Sequence, residues 1–132
     1  MNLTEQHLYY YKDNKVVLDT PLVSGKMTRD RFTPPGIFLL TYKQRDRVLK
    51  GRPLPNGQPS YQSPVDYWMP FNGGIGLHDA SWRGKFGGTI YRYSGSHGCI
   101  NLPSSKAAKI YEMIDKETPI VCVYNDGYQL IG

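Results

Sequence analysis

"SGSHGCINLPSSKAAKIYEMID", Ser94–Asp115, is the stretch on which the reading of this chain turns. Its second half carries a helical period. Ala107, Ile110, Tyr111 and Ile114 recur three and four residues apart, which places them on one face of an amphipathic helix. Ser104 is read as the N-cap, since a serine oxygen there accepts from the first free backbone N–H groups. The first half is a glycine-flanked polar loop, with His97 two residues before Cys99. Just upstream, "GIGLHDASW" (Gly74–Trp82) adds His78 with Asp79 directly after it. The chain has only 3 His and 2 Cys, so this clustering asks for a reason.

Outside that helix the chain reads in strands. "HLYYYKDNKVVLDTPLVSG" (7–25) is a strand, an Asp13-Asn14 turn and a second strand. In "TPPGIFLLTYK" (33–43), Pro34 and Pro35 exclude a helix and a strand starts at Gly36. "KQRDRVLKGR" (43–52) alternates like a hairpin with one wet face. "KGRPLPNGQPSYQS" (50–63) has the proline and Asn-Gly chemistry of a long loop, which in a small domain is usually either disordered or functional. "VDYWMPF" and "GIGLH" are strands about an Asn72-Gly73-Gly74 turn. Trp82 to Gly95 reads as a glycine-rich loop, and "PIVCVYNDGYQLIG" (119–132) as a closing hairpin across Asn125-Asp126-Gly127. The expected fold is mostly β, with one helix after Cys99.

Composition agrees with a folded single domain over residues 1–132. Hydrophobic residues are 39% and aromatics 13%, too many for a disordered chain, and 14 Gly with 10 Pro suit strands and loops. The net charge of +5 suits a polyanionic partner, but no nucleic-acid motif accompanies the basic run at 43–52. No apolar span reaches bilayer length, and no signal-peptide core follows Met1. Cys122 lies in the apolar run "PIVCVY" and Cys99 in a polar loop, so two separate thiols are expected.

The cluster is equipped for acyl transfer. A thiol attacks acyl carbons well only as thiolate, and a neighbouring imidazole can take its proton, giving a thiolate–imidazolium pair. Gly98 allows close backbone approach, so peptide N–H groups there can bind an oxyanion. Ser96 and Asn101 supply polar anchors on either side. His78, Asp79, His97 and Cys99 are also permissible zinc ligands, but the paired spacings usual in zinc sites are absent. Either histidine can be the base: residues two apart in an extended segment share a face, which makes His97 a candidate beside His78.

The whole string, "GIGLHDASW" followed by "SHGCINLP", resembles the signature of the L,D-transpeptidase family, the YkuD-like catalytic domain. The similarity extends to "VSGKMTRDRFTPPGIF", "PNGQPSYQSPVDYWMPF" and "SSKAAKIYEMIDKETPIVCVY". The resemblance implies a YkuD-like β-sandwich of mixed sheets with a substrate lid loop. It implies Cys99 as nucleophile and His78 as base, the latter oriented by the backbone carbonyl of the residue after it. His97 would support the oxyanion site, with Gly98 and Cys99 as backbone donors. Tyr61 matches a lid tyrosine and Trp82 a pocket aromatic; Met69, Asp79, Ser96 and Asn101 complete the implied substrate-binding set.

The implied reaction is 3→3 cross-linking of peptidoglycan. An acyl group passes from a tetrapeptide stem to a second stem and D-Ala is released; with water as acceptor the enzyme would be an L,D-carboxypeptidase. A non-catalytic wall-binding module is the alternative from another class, and the intact motif speaks against it. Neither metal nor organic cofactor is implied. The implied partners are donor and acceptor stem peptides, and carbapenem-type β-lactams as covalent inhibitors. A monomer is expected, at the bacterial cell envelope, as the catalytic domain of a longer exported protein.

Overall fold

The structure, a computed structural model, describes residues 1–130. β1 (His7–Lys12) and β2 (Lys15–Pro21) form an antiparallel hairpin. Asp13 and Asn14 turn it with φ of 52° and 64°, the left-handed pair that matches the twist of the flanking strands. β3 (Gly36–Leu39) pairs antiparallel with β8 (Pro119–Cys122). The third sheet runs β4 (Gln44–Lys50), β5 (Gln62–Asn72), β6 (Ile75–Asp79), β7 (Ile100–Leu102). Its first three strands are antiparallel and β6–β7 is parallel, so the fold is mostly β with mixed sheets, as expected. Helix α1 (Ile90–Ser94) lies in the β6–β7 crossover, and α2 (Ser104–Met113) follows β7. No helix among the described residues is long and apolar enough to cross a membrane.

The core lies between α2 and the four-stranded sheet. Ala107, Ile110 and Ile114 pack with Met69, Phe71, Leu77, Ile100 and Leu102, all buried. The helical face read from the sequence is therefore the buried one. Its start differs. Pro103 (φ −56°) is the N-cap and Ser104 the first helical residue, with no side-chain cap hydrogen bond. Proline's fixed φ sets the entry without a capping oxygen.

Three other expectations are corrected. Five residues of the 82–95 "loop" form α1, too short for any period to register, and only its Tyr91 is buried. The 50–63 "loop" continues the β4–β5 ladder: Gly51 N–H donates to Tyr61 O (3.0 Å) and Ser60 N–H to Arg52 O (2.9 Å). Residues 44–50 are accordingly one arm of a long hairpin, with Gln44, Asp46, Val48 and Lys50 exposed on one face and Arg47 and Leu49 half-buried on the other, in line with the alternation. At the C-terminus a turn forms at Asn125-Asp126, but no strand returns among the described residues; residues 131 and 132 of the expected hairpin lie outside them.

The loop carrying Cys99 is braced by a segment far away in sequence. Val23 exchanges two backbone hydrogen bonds with Asn101 (2.8 and 3.0 Å), and Lys26 N–H donates to Ser96 O (2.9 Å). Fully buried Gln6 clamps the brace, accepting from Ser24 N–H (3.0 Å) and donating to Ser24 Oγ (2.8 Å). Thr33 Oγ accepts from Gly25 N–H (2.9 Å) and donates to Gly98 O (2.6 Å). Gly25 has no room for a side chain, since a Cβ there would lie 1.9 Å from the Arg31 carbonyl oxygen. Gly25→Ala is expected to destabilise the protein by at least about 2 kcal/mol. Gly84→Ala, where nothing lies within 4 Å, is the matched control. Urea midpoints that fall equally in both variants would remove the brace from this account.

Candidate active site

Parallel pairing of β6 with β7 sets His78 beside Asn101 and Leu77 beside Ile100, so Cys99 enters β7 next to the backbone of Gly76. The thiol sits among backbone groups: Sγ–H donates to Gly74 O (3.5 Å), and the Gly76 N–H lies beside the sulfur. His78 is buried, and its Nδ1 donates to the carbonyl of Asp79 (2.7 Å). That bond holds the proton on Nδ1 and leaves Nε2 as the basic nitrogen. The orienting carbonyl is the one that the family resemblance implied.

A cavity of about 300 Å³ opens over these groups. Its walls include Tyr61, His78, Trp82, Arg83, Ser96, His97, Cys99 and Asn101. Two other concavities, of about 350 and 730 Å³, contain neither a cysteine nor a histidine in their walls. Tyr61, at the root of the 51–61 tip, stacks on exposed His97 with ring centroids 4.4 Å apart. Trp82 is half exposed and lies 5.9 Å from the His78 ring.

Three expected site residues, Met69, Asp79 and Gly98, are placed differently from the sequence reading. Met69 is fully buried in the hydrophobic core and outside the cavity wall, because even-spaced β5 residues on that face meet α2. The Asp79 carboxylate turns to β5, accepting from the N–H groups of Asp66 (3.0 Å) and Tyr67 (2.8 Å). It pins the sheet and does not line the cavity. Gly98 has a φ of +132°, a conformation that needs glycine, but its N–H donates to Ser96 Oγ (3.1 Å) and its carbonyl accepts from Thr33. Ser96 Oγ in turn donates to Cys99 O, so Ser96 shapes the loop from within. Gly98 thus has no N–H left for an oxyanion.

Burial dominates the electrostatics of both Cys99 and His78. Burial pushes the Cys99 thiol up to about 11, with the Gly76 N–H opposing. Burial also holds His78 below the ordinary histidine range; the Asp79 carbonyl and carboxylate oppose this, and the Arg83 cation reinforces it. Taken one at a time, both shifts favour the neutral form of the group, the thiol and the imidazole. His97 is also lowered, by burial first and then by the Arg31 cation. Among the described residues, no three His, Cys, Asp or Glu side chains converge as metal ligands. Sequence reasoning missed Arg83, Thr33 and Gln6. Thr33 and Gln6 matter through partners distant in the chain and Arg83 through the cavity that it lines, none of which leaves a local signal.

The model of the YkuD family, the L,D-transpeptidase catalytic domain, matches residues 1–122. Among solved structures, a mutant L,D-transpeptidase from Enterococcus faecium superposes with a TM-score of 0.82 at 44% identity, covering 92% of this chain and 47% of that one. The catalytic domain of the E. faecium enzyme acylated by ertapenem gives 0.78 at 44%, covering 92% of both chains. An L,D-transpeptidase from Mycobacterium smegmatis gives 0.77 at 27%, covering 92% of this chain and 56% of that one. The chain therefore spans about half the length of the crystallised E. faecium enzyme and nearly all of its catalytic domain. No curated protein sequence matches.

Proposed function

From the premise that this chain belongs to the YkuD family of L,D-transpeptidase catalytic domains, we propose that it cross-links peptidoglycan stems through Cys99 and His78. The observation that carries the reading is the pinned imidazole: buried His78, its proton held on Nδ1 by the Asp79 carbonyl, shares a cavity wall with the Cys99 thiol. A neutral thiol beside a neutral base calls for proton transfer during attack rather than before it. The S–H rotates away from Gly74 O, Sγ bonds to the carbonyl carbon of the third stem residue, and the proton passes to His78 Nε2. The C–N bond to the terminal D-Ala then breaks, with His78 returning that proton to the leaving amine. A thioester remains on Cys99. The amine of a second stem attacks it, loses a proton to His78, and the proton returns to the departing sulfur.

The developing oxyanion needs a donor, and Gly98 N–H is engaged by Ser96. We assign that role to the Cys99 N–H, which has no acceptor in the loop network among the described residues. The peptidoglycan substrate places this reaction outside the cytoplasm. A carbapenem presents the same kind of carbonyl. Attack breaks the lactam C–N bond, but the nitrogen stays tethered to the acyl group, so the thioester persists; the ertapenem-acylated relative supports this reading.

The reaction is tested with a disaccharide tetrapeptide and product masses. Loss of D-Ala with formation of a cross-linked dimer is expected. D-Ala loss with hydrolysed tripeptide alone would make the protein an L,D-carboxypeptidase. Tyr61 tests the cavity roof: Tyr61→Ala is expected to slow acylation by the stem about ten-fold while leaving iodoacetamide labelling of Cys99 unchanged. Equal acylation rates would reduce Tyr61 to a packing partner of His97.

A further inference from the structure

Arg83 is a cation without a partner in the wall of the reactive cavity. It follows β6 directly, in a turn closed by its own N–H on Ala80 O (3.2 Å), and it lines the same space as His78, Trp82, Cys99 and Asn101. The ion pairs among the described residues are His7–Asp19 and Arg31–Asp30; Arg83 has none. Its Nε is buried and has no acceptor among the described residues. The neighbouring carboxylate, Asp79, is turned to the β5 backbone. Burial lowers its pKa from the ordinary arginine value, the signature of a charge held partly out of water. Buried polar groups are normally paired, and an Arg83 guanidinium with no carboxylate beside it on the cavity wall describes a ligand with an anionic acceptor.

We propose that Arg83 is the carboxylate receptor of the donor site, holding a carboxylate of the stem peptide while Cys99 attacks the adjacent carbonyl. The proposal rests on the stem-peptide reading above. Guanidinium is the side chain best matched to a carboxylate, by charge and by its fork of N–H groups. Seating the anion also serves the base. The uncompensated Arg83 cation disfavours a protonated His78, and a carboxylate on Arg83 removes that penalty as the imidazolium forms. Two carboxylates of a stem meet the description, the terminal one of the fourth residue and a side-chain one at the third.

The test compares iodoacetate with iodoacetamide on Cys99, in wild type, Arg83→Gln and Arg83→Lys, with the neutral reagent correcting for intrinsic thiol reactivity. The iodoacetate-to-iodoacetamide rate ratio is expected to fall about ten-fold in Arg83→Gln and to recover in part in Arg83→Lys. An unchanged ratio in Arg83→Gln would overturn the proposal. Acylation by tetrapeptides then identifies the source. Amidating the recognised carboxylate should slow the wild type about as much as Arg83→Gln does, with no further loss when both are combined. If Arg83→Gln slows acylation equally for the free acid, the terminal amide and the third-residue amide, Arg83 receives no stem carboxylate and the proposal fails. If wild type is acylated by no stem peptide, the stem-peptide reading fails instead, and the reagent ratio still decides whether Arg83 receives a carboxylate.

Discussion

Cys99→Ala is expected to reduce acylation by a tetrapeptide donor by at least about 10⁴-fold, to background. No second nucleophile can stand in. Cys122, the other thiol, is buried in the core and pushed up to about 11 by burial, so it is inert at neutral pH. Cys122→Ala should keep turnover near wild type and cost about 1 kcal/mol of packing. Intact-protein mass spectrometry gives an independent readout: one carbapenem per chain in the wild type and in Cys122→Ala, none in Cys99→Ala. Peptide mapping should place the added mass on the peptide containing "SGSHGCINLP". A carbapenem adduct on folded Cys99→Ala protein would sink the assignment of the nucleophile.

His78→Ala is expected to lower acylation about 10²- to 10⁴-fold near pH 7, the usual worth of a positioned general base. The pH profile carries the sharper test, and its sign follows from the two shifts. Burial holds His78 below its ordinary value of 6.5, so the imidazole is neutral and competent at pH 7 and loses competence only as pH falls through that lowered pKa. The thiol ionises by itself only near 11. Wild-type acylation should therefore rise on an acid limb below pH 6.5 and then stay level through the neutral range. In His78→Ala the acid limb disappears, and iodoacetamide labelling climbs about ten-fold per pH unit until the thiol titrates. His97→Ala should keep the wild-type acid limb, because exposed His97 stacks on Tyr61 and lacks a side-chain hydrogen bond to fix its tautomer among the described residues. If His97→Ala lost the limb and His78→Ala kept it, the two roles would be exchanged.

Much of the architecture was legible in local pattern. The Asp13-Asn14 hairpin, the start of β3 at Gly36, the β5–β6 turn at Gly73 and the buried face of α2 all came from periods and turn residues. The misses share a cause. The five residues of α1 hold barely more than one turn, and proline-rich residues 51–61 pair through a ladder inherited from β4 and β5. Ser104 looked like a cap until Pro103 supplied the entry geometry. In each case the chain followed its neighbours in space rather than its own propensity.

By itself, the sequence determined what depends on short spacings: a mostly-β domain, the helix after the motif, and a cysteine set in a glycine-flanked loop beside two histidines. Tertiary structure alone decided how those groups are distributed. It buried His78 and left His97 exposed, turned Asp79 to β5, engaged the Gly98 N–H with Ser96, placed Met69 in the core, and gave Arg83 no anion among the described residues. The physical reason is that a polar group's state is set by its partner and its depth. Here the partners come from register between distant segments, His78 with Asn101 and Val23 with Asn101, and no local window of the chain contains both sides of such a pair.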